Sequence, residues 1–363
     1  MKKIKIVMIL NNLDLNGISS VVMNYCTNIN FNKFSVNILA GSLINPSYKN
    51  ICENLGISIK ELPSRKDSPE MFYNALFKEL KRNNYDIAHI HGNSATITME
   101  LFLAWISGIK IRIAHIHNST CNHMKINKLL IPLFNKLYTH GFACSTLAGN
   151  WLFKNKKYYV IPNGFDTTRF YFNLEYRKII RKQLNLNDNN FLIGHVGRFN
   201  NQKNHPFLLK VFEQVAKKNS NVYLILVGNG PDFDKINQLI NQHPYKNRII
   251  VYGETTEIEK IYSAMDLFAF PSKYEGLGIV VLEAQISGLP CCISSSVPND
   301  VIISDNINFI PINNDSIPLW CDKILYYTIN NINRTIRNKI NIKKFDIKNN
   351  VEYLENLYFK LLE

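Results

Sequence analysis

Short apolar runs of strand length alternate along this chain with stretches whose apolar positions recur every three to four residues. In the first half the strand-like runs are Ile4–Leu10, Ser35–Ala40 and Ile57–Glu61, then YDIAHIHGN, IKIRIAHIHNST, Gly141–Ser145 and Tyr158–Asn163, with a helical stretch at Ser68–Asn83. The second half repeats the theme with strands at Phe191–Val196, Tyr223–Val227, Ile249–Tyr252, Leu267–Phe270, Cys291–Ser294 and Asn308–Pro311. Helical spacing marks Leu174–Leu184, Ile279–Ile286 and Ile347–Leu362. Strands that alternate with helices predict parallel sheets covered on both faces, an α/β fold. The segment VIPNGFDTTRF interrupts the alternation, and its Pro162 and Gly164 suit a boundary with little regular structure. The chain therefore divides into a first domain over 1–168, a second over 169–345 and a terminal helix over 346–363. At 363 residues it is long enough for two cores.

The chemistry concentrates in FPSKYEGLGIVVLEAQISGLPCCIS, from Phe270 to Ser294. A buried-looking strand runs into a loop containing Gly276, Leu277 and Gly278, and a helix opens at Ile279. Gly288 and Pro290 end that helix. Such a loop aims backbone N–H groups and a helix N-terminus at one point, which favours an anion and above all a phosphate. Glu275 lies before the loop and Glu283 one turn into the helix. Phosphate repels a carboxylate, so these acids are read as acceptors for sugar hydroxyls, and the whole as a sugar-nucleotide site.

A second cluster lies in HVGRFNNQKNH, where Arg198 and Lys203 sit in a loop past the carboxyl end of a strand. Two cations there can grip a diphosphate and stabilise the charge that grows on it as it leaves. Gly17, in the loop after the first strand, suits close backbone approach to a ligand; an ordinary strand-to-helix turn is the bland alternative. His89 and His91, and likewise His115 and His117, fall on one face of adjacent strands near the carboxyl ends where open parallel sheets bind ligands. No cysteine or carboxylate completes a recognisable metal spacing with them, so no metal is expected. LVGNGPDFD lacks the third glycine of a dinucleotide fingerprint, and Asp232 and Asp234 stand at a helix start where acids are expected anyway.

The spacing E-x7-E within YEGLGIVVLEAQISGLP resembles the signature of glycosyltransferase family 4, the glycosyl transferases of group 1, and the EAQ-x-x-GLPC wording resembles its capsular and exopolysaccharide subgroup. Nearly the whole chain is similar. The resemblance implies a GT-B fold, two Rossmann-like domains with an active site in the cleft between them, and a last helix packed across both. It implies a retaining transfer of sugar from a nucleotide diphosphate donor, a UDP-sugar in most cases, to a growing polysaccharide or lipid-linked oligosaccharide. Arg198 and Lys203 would then hold the diphosphate, Gly278, Ile279 and Val280 would offer it backbone amides, and Glu283 would hold the ribose. Glu275 and His117 would meet the donor sugar, with His89 and His115 structural. VYGETTEIEK places Gly253 and Glu254 beside the base. Where the family usually has two glycines, this chain has Asn16 and Gly17.

Composition alters this picture in one respect. The net charge of +14 calls for an anionic partner, or reflects a lysine- and asparagine-rich surface. A nucleic-acid-binding module is the rival that charge alone suggests, but no helix-turn-helix, zinc or aromatic-basic signature accompanies it. A sugar-nucleotide epimerase is the rival inside the fold. Seven scattered cysteines without a C-x-x-C pair fit a reducing cytosol. No run of about 18 apolar residues suggests a membrane span, and the opening MKKIKIVMIL reads as a strand, not a signal segment. A cytoplasmic protein is expected. The basic amphipathic stretch from Asn122 to His140 can lie in a membrane interface at the inner face of the cell membrane, or pack on its own domain with Pro132 kinking or dividing it.

Overall fold

The computed structural model describes residues 3–14, 17–42, 44–121, 123–330, 334 and 342–363. It divides into one unit of Met1–Phe165 with Lys344–Glu363 and a second of Asp166–Lys343. The division falls inside VIPNGFDTTRF, three residues before the boundary expected from sequence, and the terminal helix belongs with the first unit.

The first unit is built on seven parallel strands: β1 (Ile4–Leu10), β2 (Phe34–Ala40), β3 (Ser58–Glu61), β4 (Ile87–Gly92), β5 (Ile111–Ile116), β6 (His140–Ala143) and β7 (Tyr158–Val160). Their spatial order is β3-β2-β1-β4-β5-β6-β7. The helices are α1 (Gly17–Asn28), α2 (Pro46–Leu55), α3 (Pro69–Asn83), α4 (Thr98–Ile106), α5 (Met124–Leu137) and α6 (Thr146–Phe153). β1 and β4 are almost wholly buried, which is why they read as continuous apolar runs and not as alternation. Helix α5 continues through Pro132 as one helix, so that of the expected kink or division the division does not occur. Proline removes one amide, and the carbonyl it strands, that of Lys128, lies on the exposed side, where water can take its place.

The second unit holds six parallel strands, β8 (Phe191–Val196), β9 (Val222–Val227), β10 (Ile249–Gly253), β11 (Leu267–Phe270), β12 (Cys291–Ser294) and β13 (Ile307–Ile310), in the order β10-β9-β8-β11-β12-β13. Its helices are α7 (Leu174–Gln183), α8 (His205–Lys218), α9 (Phe233–Asn241), α10 (Ile258–Ala264), α11 (Ile279–Ile286) and α12 (Ile317–Ile329). Phe212, Trp320 and Leu224 centre the core between α8, α12 and the sheet. The chain then returns to the first unit, where α13 (Ile347–Leu362) packs on α1. In each sheet the order reverses beside the first strand of its unit, β1 and β8, which is where open α/β sheets bind ligands.

Candidate active site

The loop from β11 to α11 forms as its sequence predicts. Gly278 precedes the helix with φ 90° and ψ 57°, a left-handed conformation that glycine alone adopts without strain. This turn brings the chain abruptly into α11, so the amides of Ile279 and Val280 lie ahead of the intrahelical ladder and point along the positive end of the helix dipole. Glu283, one turn on, accepts a 2.8 Å hydrogen bond from the Tyr262 hydroxyl. Burial pushes its carboxyl up to about 7, and the Tyr262 hydrogen bond and the Arg169 charge only partly oppose this. Tyr262 is fully buried and was not foreseen from sequence. Its place in α10 gave only a core signal.

The β8 loop carries the cations. Arg198 is exposed, whereas Lys203 is largely buried and its Nζ lies 2.6 Å from Glu275 Oε1 and 4.7 Å from the centre of the Phe270 ring. Ser272 Oγ donates to the same carboxylate oxygen at 2.5 Å. The sequence reading gave Lys203 and Glu275 separate tasks; the structure joins them as a buried ion pair. The side-chain amide of Gln202 donates to the Tyr274 carbonyl, and the Lys273 amide to the Gln202 carbonyl, so the two loops are knitted together. Behind them His195 donates from Nδ1 to the Ala269 carbonyl at 2.9 Å, and burial holds it at about 4 and the neighbouring His205 at about 2.

The G-x-G of LVGNGPDFD has a packing role here. A Cβ at Gly230 would sit 2.4 Å from the Phe199 carbonyl oxygen and 2.9 Å from Arg198 Cγ, so the glycine allows the β9 loop to support the β8 loop. Asp232 precedes α9 and Asp234 lies in its first turn, as expected of helix-start acids. Gly253 ends β10 at φ 82° and its carbonyl accepts from the Gly228 amide, with Glu254 exposed beside it.

In the first unit, Gly17 starts α1, while Asn16 lies outside the described residues. The four histidines form a stack. His89 and His91 rings lie 4.2 Å apart on β4, and His115 and His117 rings 4.2 Å apart at the end of β5. Across the strands His89 Nε2 meets His115 Nδ1 at 3.0 Å, and His91 Nδ1 meets His117 Nε2 at 2.9 Å. The Tyr358 hydroxyl of α13 closes the array at 2.6 Å from His89 Nδ1. Burial holds all four imidazoles below their usual range, His89 and His117 at about 3. His89 has both ring nitrogens engaged, as a structural histidine should, whereas His115 keeps a buried Nε2 without a partner. His89, His91 and His115 also bring one ring nitrogen each within 4.8 Å of one another, close enough to be considered as metal ligands. Each of the three has at least one ring nitrogen engaged in a hydrogen bond, and among the described residues no carboxylate joins the group to offset a dication.

Comparison with known proteins bears on the chemistry class and the fold. Residues 176–340 match the model of the Glycosyl transferases group 1 family. The Escherichia coli enzyme UDP-Gal:alpha-D-GlcNAc-diphosphoundecaprenol alpha-1,3-galactosyltransferase is 25% identical over 338 residues, covering 86% of this chain and 82% of that one. CapH of Staphylococcus aureus, a capsular polysaccharide biosynthesis glycosyltransferase, is 29% identical over 270 residues, covering 70% and 68%. The crystal structure of Anabaena HepE in complex with UDP and glucose superimposes with a TM-score of 0.78 at 18% identity, covering 98% of this chain and 99% of that one. With its two parallel-sheet units and its EGLG loop, the chain is a glycosyltransferase of GT-B fold whose second unit matches the glycosyl transferases of group 1 over residues 176–340.

Proposed function

We propose that the protein transfers a sugar, with retention of anomeric configuration, from a UDP-sugar to a growing polysaccharide or lipid-linked oligosaccharide. The observation that carries this reading is the second unit's joined device: the open start of α11 at Gly278, Glu283 one turn inside it, and the Lys203–Glu275 pair beside it. The amides of Ile279 and Val280 and the exposed Arg198 bind the diphosphate, with Gly276 and Leu277 shaping the approach. Glu283 accepts the ribose hydroxyls, with both carboxyl oxygens free to accept only in its ionised form. Gly253 and Glu254 border the base, Gly17 the donor phosphate or acceptor, and Glu275 and His117 the donor sugar. As the sugar–phosphate bond breaks, positive charge grows on the sugar and negative charge on the diphosphate. Glu275 stabilises the first; Lys203 and Arg198 stabilise the second. No candidate nucleophile stands out near these groups, which suits attack by the acceptor hydroxyl on the face the diphosphate leaves, with a diphosphate oxygen taking the proton.

A thermal-shift screen of nucleotide sugars against the purified protein tests the donor. UDP-sugars should raise the melting temperature, and a protein indifferent to every nucleotide sugar overturns the reading. Product analysis with and without acceptor separates transfer from epimerisation, and salt-dependent retention on DNA would favour the nucleic-acid rival.

We also propose that catalysis needs no metal, because cations and amides already supply the positive charge. Chelation should leave turnover within twofold, and loss of activity restored by manganese or magnesium would refute this.

The face of α4 and α5 supports membrane contact as a companion reading. Helix α5 carries Lys125, Lys128 and Lys136 and no acid, and Leu129 is 79% exposed. Between the helices lies a cavity of about 480 Å³, lined by Met99, Phe102, Ile126, Leu130 and Leu133 with Arg65 at its wall. Arg65 is itself held by Glu100 and Tyr73. Among the described residues no helix is long and apolar enough to cross a membrane, so contact would be interfacial, through the apolar side chains and lysines of this face.

A further inference from the structure

Tyr262 meets Glu283 across two helices, so their side chains alone do not set the bond between them. Glu283 stands one turn inside α11 and Tyr262 near the end of α10. The 2.8 Å bond from the hydroxyl to Oε2 survives only if the helices keep their spacing to within roughly half an ångström. Both helices end in carbonyls that have no intrahelical donor. Arg334 takes them. Its Nη2 donates to the Tyr262 carbonyl at 2.9 Å and to the Ser287 carbonyl and hydroxyl at 2.8 Å each. Its Nη1 donates to the Ser263 carbonyl at 2.8 Å and the Met265 carbonyl at 3.2 Å, and its Nε to the Ser287 carbonyl at 3.0 Å. The Phe172 ring centre lies 4.1 Å from the guanidinium carbon. A Cβ at Gly288 would sit 2.3 Å from the Arg334 carbonyl oxygen, so the backbone at Arg334 runs directly against the end of α11.

These bonds close a circuit. The Tyr262 hydroxyl reaches Glu283, the Glu283 carbonyl accepts from the Ser287 amide at 3.0 Å, and one guanidinium holds the carbonyls of both Ser287 and Tyr262. A planar fork of three nitrogens fixes two helix ends at one spacing, which a compact ammonium on a flexible stem does not. Arg177 is the contrast. It also binds the end of α10, through the Ala264 and Met265 carbonyls and Asp266, and these side-chain partners all lie at that one end. We infer that Arg334 is a positioning residue for the donor site: by bridging the ends of α10 and α11 it sets the Tyr262–Glu283 hydrogen bond and so the direction in which Glu283 presents its carboxylate. The consequence for binding rests on the reading of Glu283 as the acceptor for ribose hydroxyls. With Oε2 held by Tyr262 the carboxylate does not rotate, and Oε1 stays in one place for the hydroxyl it meets. Arg334 touches no substrate atom in this scheme.

The test measures binding of UDP and of 2′-deoxy-UDP to the full chain by calorimetric titration. Arg334→Lys keeps the charge without the fork, Tyr262→Phe removes the bond directly, and Arg177→Lys loosens the end of α10 alone. Wild type should prefer UDP by about tenfold, the size of one hydrogen bond to a charged group. Arg334→Lys and Tyr262→Phe should each bring that preference toward one, mainly by weakening UDP, and the double variant should be no weaker than either single one because both act on the same bond. Arg177→Lys should keep the preference. A role in stability alone lowers the melting temperature of both arginine variants and leaves the preference at its wild-type value, which overturns the inference. So does a double variant whose loss is the product of the two single losses, or a wild-type preference in Tyr262→Phe, a variant that keeps the test open if Arg334→Lys does not fold. A crystal structure of Arg334→Lys reads the geometry without a ligand: the Tyr262 hydroxyl and Glu283 Oε2 should part beyond hydrogen-bond distance, and a bond of wild-type length overturns the inference. Equal binding of both nucleotides by wild type, unchanged in Glu283→Gln, removes instead the ribose reading, and the crystal structure still decides whether Arg334 holds Tyr262 to Glu283.

Discussion

Arg198 and Lys203 look alike in the sequence, five positions apart in one loop, yet they stand in different surroundings. Arg198 is exposed and its loss leaves no buried group behind, so Arg198→Ala should lower turnover about 10²-fold or more without moving the melting temperature. Lys203 is paired with Glu275 in a buried setting. Removing it leaves a buried carboxylate without its counter-charge, and breaking a buried pair from one side costs about 3–5 kcal/mol. Lys203→Ala should therefore lose both activity and stability, measured by turnover and thermal unfolding in parallel. Wild-type turnover in both variants would refute the diphosphate assignment. The two glutamates should also fail differently. Glu283→Gln should mainly raise donor KM, because a ribose contact is equally strong in substrate and transition state. Glu275→Gln should mainly lower kcat, because the charge it stabilises exists only near the barrier. Steady-state kinetics with one donor decide it, and the opposite pattern would reverse the division of roles.

At the scale of elements, β1, β8, β11, β12 and α11 were legible to the residue because burial on both faces, or glycine and proline at the ends, leaves little ambiguity in the pattern, and α13 because Val351, Leu354 and Leu357 keep helical spacing on its buried face. The EGLG loop was read from its own stretch, and the GT-B fold was implied by the resemblance which that stretch carries. Other features depended on contacts distant in the chain. The Lys203–Glu275 pair joins residues 72 apart, and the Tyr358 contact to His89 joins residues 269 apart, so no local spacing announces either. Helix α2 went unread although it is marked by Asn45 as cap, Pro46 in the first turn and Gly56 past its end, because its apolar face buries only Cys52. Helix α5 shows the limit of proline as a breaker, since its exposed side tolerates the missing bond. That same exposed side makes a prediction. Replacing Ile126 and Leu129 together with glutamate should lower binding to vesicles of anionic lipid at least tenfold, as each loses the burial of a large apolar side chain, worth about 1.5–3 kcal/mol. Vesicle cosedimentation measures it, and equal binding by variant and wild type would remove α5 from any membrane role.

For the whole molecule, the buried titratable groups set how stability responds to pH. Burial lowers the imidazoles of His89, His91, His115, His117, His195 and His205, from an unfolded value near 6.5 to about 3, 4 and 2 where the shift is defined. A depressed histidine contributes stability that is present above about pH 6.5 and is lost as pH falls, because the unfolded chain takes up the proton first. His89, His117, His195 and His205 each lose on the order of 2 kcal/mol between pH 7 and pH 5. Glu283 works in the other direction. Its carboxyl is raised from 4.5 to about 7, so its contribution is fully present below about pH 4.5 and is lost as pH rises through 7. Over the same interval it returns on the order of 2 kcal/mol, which offsets one of the two histidines of its own unit, His195 and His205, while in the first unit Glu100, likewise raised by burial, opposes His89, His91, His115 and His117. Against a total stability of roughly 5–15 kcal/mol for a domain, that remainder is decisive. The protein should be most stable near pH 7–8 and should unfold between about pH 5 and 6. The fall should be shallower in a His91→Asn, His115→Asn double variant once its own lower starting stability is subtracted. Thermal unfolding followed from pH 8 to pH 5 tests this, and a melting temperature that stays level over that range would mean that these histidines reach solvent and titrate near their ordinary value.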